Sequence, residues 1–181
     1  MEERKKDHIE LAFESQILRD NMDTRFYYEP MMAAHPDGIG KEFLFADKKL
    51  NVPLCVSSMT GGTKLAGKIN RNLARVCKEF GFGMGLGSCR IIMDDDRYFT
   101  DFDMRNTIGD MPLFANLGIA QVEEILEKNE KIKIDRLVER LQADGLIIHV
   151  NPLQEWFQPE GDRLKTSPLE TIKTLLESID Y

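Results

Sequence analysis

The sequence lacks the features of a membrane-spanning, secreted or disulfide-bonded protein. No apolar run approaches the roughly 20 residues that a membrane-spanning helix needs. The charged start of the chain, MEERKKDH, contains no apolar core of a secretory signal. Only three cysteines occur, Cys55, Cys77 and Cys89, an odd number without the spacing of a zinc site. We therefore expect reduced thiols, a cytoplasmic location and no membrane partner.

Basic residues are also in deficit, with 24 Lys and Arg against 31 Asp and Glu, so the formal net charge is −7. This excess opposes attraction of the whole surface to nucleic acid, and we expect no nucleic-acid partner. A local basic patch could still bind a phosphate. The contents of apolar residues (42%) and charged residues (30%) are typical of a folded protein, and 181 residues suit one domain or slightly more.

Short apolar runs alternate with helical patterns after residue 50. The runs predict strands near 52–57, 83–87, 113–117 and 145–150. Helical spacing follows the first, third and fourth runs, and Gly81 and Ser167-Pro168 mark a helix end and a helix start. The apolar stripes expected to be buried are Leu65, Ile69, Leu73, Val76, Cys77 and Phe80; Ile134, Leu137, Val138 and Leu141; and Leu169, Ile172, Leu176 and Ile179. Apolar strands separated by helices predict a parallel sheet.

The chain is expected to have two parts, residues 1–50 and residues 51–181. The first part predicts a helix near 7–20, a loop at 30–40 and a β-hairpin formed by 43–45 and the run after Lys48-Lys49. The second part carries the alternating strands and helices. The α/β pattern suits a (β/α) barrel, with a doubly wound sheet as the alternative.

Each predicted strand ends in polar or glycine residues. These ends are Ser57 to Gly62, Gly87 to Arg90, Asn116 to Gly118, and His149 to Asn151. Ligands bind at this edge in barrels and in doubly wound sheets, so we expect one shared site. Gly83, Gly85 and Gly87 alternate one by one, which differs from the G-x-G-x-x-G pattern that binds dinucleotides.

Several of these residues have both a functional and a structural interpretation. Met59 to Gly62 could hold a flat ring or a phosphate, or form an ordinary turn. Ser88 and Arg90 could bind a phosphate, with a surface ion pair equally consistent. Asn116 could pair with the uracil-like edge of a flavin, or lie in a turn. The basic start of the chain could be a phosphate-binding arm or a solvated tail.

The segment from His149 to Glu155 has the densest set of polar side chains. His149 and Asn151 are two apart and would point the same way on a strand. Gln154 and Glu155 follow directly. A single carboxylate such as Glu155 fits Mg²⁺ that takes its other ligands from a substrate phosphate and water. The structural alternative for His149 is a buried histidine with its hydrogen bonds satisfied.

Taken together, these segments resemble the type 2 isopentenyl-diphosphate isomerases, an FMN-dependent family. The matching pieces, in family order, are RKKDH (4–8), SMTGG (58–62), GSCR (87–90), NLG (116–118), HVNPLQE (149–155) and PEGD (159–162). The resemblance implies a (β/α)8 TIM barrel of which this chain covers about the first four βα units. It implies the interconversion of isopentenyl and dimethylallyl diphosphate in isoprenoid biosynthesis, with reduced FMN, Mg²⁺, and NADPH as the reductant.

The resemblance also implies roles for individual residues. It assigns Arg4, Lys5, His8, Ser88, Arg90, Asn151 and Gln154 to substrate binding, Ser58, Met59, Thr60, Ser88 and Asn116 to FMN, Glu155 to the metal, and His149 and Gln154 to catalysis. Family members are homo-oligomers about twice this long. Half of a barrel would leave the first and fourth strands with unpaired edges, so we expect 1–181 alone to self-associate or to require the other half, and to have negligible activity. The alternatives are another FMN barrel, such as a 2-hydroxy-acid oxidase relative, and a non-catalytic half-barrel fragment.

Overall fold

The computed structural model describes residues 31, 43–58, 61–157, 159 and 161–178. The helix expected near 7–20 lies outside this part, as does the loop at 30–40 apart from Met31. The chain divides into two units, Met1–Ile39 and Gly40–Tyr181, and the elements below belong to the second unit. Within the described ranges, no helix combines the length and the apolar character needed to cross a bilayer.

The described part contains a hairpin, a parallel sheet and several helices. The strands are β1 (Phe43–Phe45), β2 (Lys48–Leu50), β3 (Cys55–Val56), β4 (Gly83–Gly85), β5 (Leu113–Gly118) and β6 (Gly145–His149). The helices are α1 (Lys64–Phe80), α2 (Arg90–Asp94), α3 (Arg105–Ile108), α4 (Ile119–Glu127), α5 (Ile132–Leu141), α6 (Pro152–Phe157) and α7 (Pro168–Ser178). A 3₁₀ segment, Asp96–Asp101, lies between α2 and α3.

The four predicted strands form one parallel sheet in the order β3-β4-β5-β6, which confirms the predicted parallel pairing. The strand expected at 52–57 is only the two residues of β3, because Pro53 and the turn before it interrupt the run. The order follows the chain without reversal. A doubly wound sheet, by contrast, reverses its order at the ligand site.

The predicted hairpin is confirmed, but its second strand lies earlier than expected, because β2 contains Lys48 and Lys49 and the chain bends directly after Leu50. β1 and β2 pair antiparallel with Phe43 opposite Leu50 and Phe45 opposite Lys48. Ala46 and Asp47 have φ of 49° and 58°, the left-handed values of a two-residue hairpin turn. Phe45 reaches the sheet, where its ring contacts that of Phe114 with a centroid distance of 5.6 Å.

The two faces of the sheet differ in what covers them. Ala115 and Leu117 of β5 are buried in the main core together with side chains of α1, α4 and α5. The alternate residues Phe114 and Asn116 point to the other face, where Phe45 of the hairpin packs. The helices of the core therefore lie on the face opposite Asn116, as on the outside of a barrel.

The helix boundaries agree with the capping signals in the sequence. Thr63 accepts a hydrogen bond from the Ala66 N–H at 3.1 Å, and Gly81 ends α1 with φ of 75°. At α7, Ser167 and Glu170 form the reciprocal pair expected of a capping box. Four helices were not predicted, α2, α3, α4 and α6, and the longest of them, α4, directly follows β5.

The predicted buried stripe is confirmed for α5, whereas most of it is wrong for α1 and α7. Of the residues predicted in α1, only Cys77 is buried and Leu73 is half-buried. Of those predicted in α7, Ile172 is half-buried, and Ile179 lies outside the described residues. The buried side of α1 consists of small residues, Ala66, Gly67, Asn70, Ala74 and Cys77, whereas Leu65 is 68% exposed. Close packing explains the small residues, because a Cβ on Gly67 would lie 2.2 Å from Asp101 Oδ1. In α7, Thr171 and Leu175 are buried, and Leu176 is 63% exposed.

A carboxylate clamp joins the amino-terminal ends of β5 and β6. Asp144 accepts hydrogen bonds from the Leu113 N–H at 2.8 Å and from Arg105 Nη2 at 2.7 Å, and Lys48 Nζ lies 3.1 Å from its other oxygen. Partial burial would raise the pKa of Asp144, but these donors together hold that pKa below its usual value. The clamp fixes the register of the two strands whose opposite ends carry the candidate site.

Candidate functional site

Ser58 and Asn116 meet at the carboxyl edge of the sheet, although β4 lies between their strands. Asn116 is only 4% exposed, and its Nδ2 donates to Ser58 Oγ at 3.1 Å. Gly85 of β4 makes this contact possible, because a Cβ there would lie 2.7 Å from both Ser58 Oγ and Ile147 Cδ1. The absence of a side chain at Gly85 thus brings two predicted FMN residues together.

This polar pair fits the ring edge of a flavin. The Ser58 hydroxyl accepts from Asn116 and keeps its own proton to donate, and the Asn116 amide has a second N–H and a carbonyl oxygen. Flavin ring carbonyl and N–H groups need such partners. The adjoining Gly61 faces protein, since a Cβ there would lie 2.1 Å from the Phe102 ring. Met59 and Thr60 lie outside the described residues.

The loop after β4 is anchored by Cys89, and its neighbours Ser88 and Arg90 are exposed. The Cys89 N–H donates to the Asn116 carbonyl at 2.8 Å, and Cys89 Sγ donates to the Gly87 carbonyl at 3.4 Å. Burial raises the pKa of the Cys89 thiol to about 11. A neutral, buried thiol is a packing residue, and its fixed backbone presents Ser88 and Arg90 at the edge.

Arg90 forms the ion pair that the sequence left open as an alternative to phosphate binding. Its Nη1 donates to Asp162 Oδ2 at 2.9 Å, and Gln121 Nε2 donates to the same oxygen at 2.8 Å. Arg90 keeps 53% of its side chain exposed. The hydrogen bond to Asp162 occupies one of the five N–H donors of a guanidinium, so the ion pair leaves donors for an anion.

The structure corrects the geometry expected for His149 to Glu155. β6 ends at His149, so Asn151 is not on a strand, and the expected shared direction with His149 is wrong. The Asn151 carbonyl instead accepts the Glu155 N–H at 3.3 Å, which starts α6. Gln154 and Glu155 lie in this helix; the side chain of Gln154 is outside the description. His149 is exposed, which excludes the buried alternative, and it pairs in register with Gly118.

Glu155 fits a Mg²⁺ site that a substrate completes. Its Oε2 accepts the Asp162 N–H at 3.0 Å, which leaves Oε1 for a cation. Among the residues that the structure describes, no three His, Cys, Asp or Glu side chains are grouped to hold a metal. A single carboxylate with a diphosphate and water would complete the octahedral shell that Mg²⁺ prefers.

Five of the predicted site residues, Arg4, Lys5, His8, Met59 and Thr60, lie outside the described residues and stay predictions. Sequence reasoning missed Gln121 and gave no role to Asp162. Gln121 follows Gly118 in the first turn of α4, and this glycine has no room for a Cβ because Gln121 Oε1 would be 2.3 Å away. The sequence signal for Asp162 was the PEGD segment, in which Gly161 packs closely against the Glu155 backbone.

Comparison with known proteins gives a consistent result. The chain is 37% identical over 178 residues to the isopentenyl-diphosphate delta-isomerase of Rickettsia felis, covering 96% of this chain and 51% of that protein. The chain is similar to isopentenyl-diphosphate delta-isomerases. Proteins of the same name from Nostoc sp. (38% over 167 residues, 88% of this chain and 46% of that protein) and Synechocystis sp. (35% over 184 residues, 98% and 51%) also match.

The match to isopentenyl-diphosphate delta-isomerases extends along nearly the whole chain but only part of each relative. The chain spans about half the length of the curated relatives it matches. No protein-family model matches it. The residues at the carboxyl edge of the sheet therefore lie in a chain that is similar to only one portion of these isomerases.

Proposed function

We propose that this chain carries the substrate- and flavin-facing part of an isopentenyl-diphosphate isomerase of the FMN-dependent type. The observation that carries the proposal is the similarity to isopentenyl-diphosphate delta-isomerases along 96% of the chain. The hydrogen bond between Ser58 and Asn116 supports the flavin-dependent type, because it provides the polar atoms that a ring edge needs. The sequential parallel sheet supports a TIM barrel of which this chain supplies about the first four βα units. We place the protein in the cytoplasm, as a homo-oligomer.

Different residues of the chain would bind the two ends of the substrate, the diphosphate and the alkene. At the diphosphate end, Arg4, Lys5 and His8 of the basic arm, together with Ser88 and Arg90, would neutralise and orient the phosphates. Glu155 would hold Mg²⁺ against the same group. Binding energy gained there would hold the alkene in place for reaction, although the alkene itself offers no polar handle.

At the reacting end, the sheet edge would position a flat ring beside the alkene. Ser58, Met59, Thr60 and Asn116 would hold FMN, and its reduced ring would supply the proton transfers of the allylic shift, with NADPH keeping it reduced. Asn151 would line the substrate, and Gln154 and His149 would orient the allylic group and hold a proton beside it. A dry pocket is needed here because the transition state is cation-like.

The test is conversion of isopentenyl diphosphate in the presence of reduced FMN and Mg²⁺, followed by proton NMR. The chain would be mixed with a polypeptide matching the unmatched portion of the Rickettsia felis relative. We expect dimethylallyl diphosphate to form in the mixture and to be lost with Glu155→Gln in this chain. Glu139→Gln is the matched control, because Glu139 is an exposed carboxylate of helix α5. A complex that binds FMN and forms no product would contradict the proposal.

A further inference from the structure

We propose that Asp162 is a positioning residue that sets the Arg90 guanidinium for a diphosphate and couples it to Glu155. The inference rests on the proposed function for the identity of the anion. It assigns a role to the Asp162 side chain, which contacts neither Ser58 nor Asn116. Asp162 lies in the segment between α6 and α7 and contacts residues of three other elements.

The contacts of Asp162 converge on the two charged groups of the candidate diphosphate site. One carboxylate oxygen accepts from Arg90 Nη1 at 2.9 Å and from Gln121 Nε2 at 2.8 Å. Its backbone N–H donates to Glu155 Oε2 at 3.0 Å. Asp162 therefore fixes the cation of Arg90 with its side chain and the anion of Glu155 with its main chain.

The second donor explains why this is more than a surface ion pair. An exposed pair of Arg and Asp has little energetic value when each side chain is free to move. Here Gln121 holds the acceptor oxygen, and Gln121 is itself packed against Gly118, two residues after Asn116. The end of β5 thus orients the Asp162 carboxylate through Gln121, and the carboxylate in turn orients Arg90.

The approach of the backbone at Gly161 fixes the other contact. A Cβ on Gly161 would lie 1.9 Å from the Glu155 carbonyl oxygen, so the chain passes α6 with no space for a side chain. This close passage sets the Asp162 N–H against Glu155 Oε2. The two carboxylates keep separate roles, since Asp162 faces cationic and amide donors whereas Glu155 retains an oxygen for Mg²⁺.

The inference and simple charge repulsion predict opposite changes in anion affinity when Asp162 loses its charge. Removing a negative charge beside an anion site should tighten anion binding if Asp162 is only a neighbour. If Asp162 positions Arg90, its loss should weaken binding despite the lower negative charge. Loss of a group that orients a ligand-binding side chain typically weakens the affinity for the ligand by about tenfold or more.

The experiment measures Mg²⁺-pyrophosphate binding by calorimetry and the reactivity of Arg90 towards phenylglyoxal by peptide mass spectrometry, in the full chain. Asp162→Asn should weaken pyrophosphate binding about tenfold and raise the rate of Arg90 modification severalfold. In a chain that already carries Arg90→Ala, the same substitution should not weaken pyrophosphate binding further. Gln121→Met should produce a smaller loss in the same direction. Asp96→Asn, which removes the partner of Arg140, is the control and should leave Arg90 unchanged.

Each result has a defined consequence. Tighter or unchanged pyrophosphate binding in Asp162→Asn, or an unchanged Arg90 modification rate, would overturn the inference. If the unsubstituted chain bound neither pyrophosphate nor isopentenyl diphosphate, the proposed function would fail, and with it the assignment of the anion. In that case the diphosphate part of the inference would be overturned. A faster reaction of Arg90 in Asp162→Asn would still show that Asp162 orients Arg90.

Discussion

The three thiols differ in their surroundings, and this sets their expected reactivity. Burial raises the pKa of all three thiols, and to about 11 for Cys77 and Cys89. The three differ in access, because Cys77 and Cys89 are buried whereas Cys55 is exposed. We expect iodoacetamide at pH 8 to modify Cys55 first in the folded chain, and all three in urea. Mass spectrometry of the modified peptides checks this. Early labelling of Cys89 would show that the loop carrying Ser88 and Arg90 opens readily.

Gly85 is the residue whose substitution should most directly disturb the flavin-facing pair. A Cβ at Gly85 would meet Ser58 Oγ and Ile147 Cδ1 at 2.7 Å. Overpacking of this kind costs about 1–3 kcal/mol, so Gly85→Ala should lower the free energy of unfolding by that amount in urea denaturation. Gly145→Ala is the control, because its Cβ would lie 3.2 Å from the Phe114 ring and should cost less. Equal costs would argue against tight packing at Gly85.

Sequence reasoning found the strand ends but could not find the contacts between them. Asn116 and Ser58 were predicted to share an edge, since parallel strands place their carboxyl ends together. Their hydrogen bond depends on a missing side chain on the strand between, which no local pattern reveals. The bond from Arg90 to Asp162 spans 72 positions, and such a pairing is set by tertiary packing alone.

At the level of elements, helix starts and ends were predictable, whereas two buried faces were not. The left-handed Gly81 and the Ser167–Glu170 box are local interactions that the sequence encodes directly, whereas the cap at Thr63 was not predicted. The buried face of a helix depends on its neighbours. α1 packs small residues against the 3₁₀ segment, so its larger apolar side chains remain outside. Helix α4 was missed because it follows the strand with no loop between them, since β5 ends at Gly118 and α4 begins at Ile119.

The clamp at Asp144 should make stability depend on pH. Its pKa lies below the usual value in the folded state, so its contribution is complete above the unfolded pKa of about 3.9 and is lost as the pH falls through the folded value. Asp144→Asn should lower the free energy of unfolding by about 2–3 kcal/mol at pH 7. The difference from the unsubstituted chain should shrink below pH 4. A difference that is constant with pH, measured by urea denaturation, would contradict the assignment.

The anchoring of α7 rests on a second carboxylate, Glu123 of α4. Glu123 accepts from the backbone N–H groups of Lys165 and Thr166 and from the Thr166 hydroxyl. Burial opposes its ionisation, but these donors lower the pKa of Glu123 overall. We expect Glu123→Ala to release α7, seen as faster amide hydrogen exchange in Pro168–Ser178 while β5 stays protected. Unchanged exchange in α7 would show that Leu175 alone anchors the helix.

At the level of the whole molecule, large apolar side chains remain exposed on helices near both ends of the described chain. Leu65 and Phe80 of α1 are 68% and 53% exposed, and Leu169 and Leu176 of α7 are each 63% exposed. Apolar surface of this kind typically mediates association. We expect the chain to form oligomers in solution, measured by light scattering after gel filtration, and Leu65→Lys with Leu176→Lys to reduce the mass. A monomer at all concentrations would contradict this expectation.

The central claim is that the carboxyl edge and the segment after β6 form a Mg²⁺-dependent isoprenoid-diphosphate site. Calorimetric titration of the chain with isopentenyl diphosphate, with Mg²⁺ and then with EDTA, tests it most directly. The account predicts one site per chain that requires Mg²⁺, is lost with Arg90→Ala and Glu155→Gln, and is retained with Glu139→Gln, which removes an exposed carboxylate of helix α5. Binding that is indifferent to EDTA and to both substitutions, or no binding to the unsubstituted chain, would contradict it.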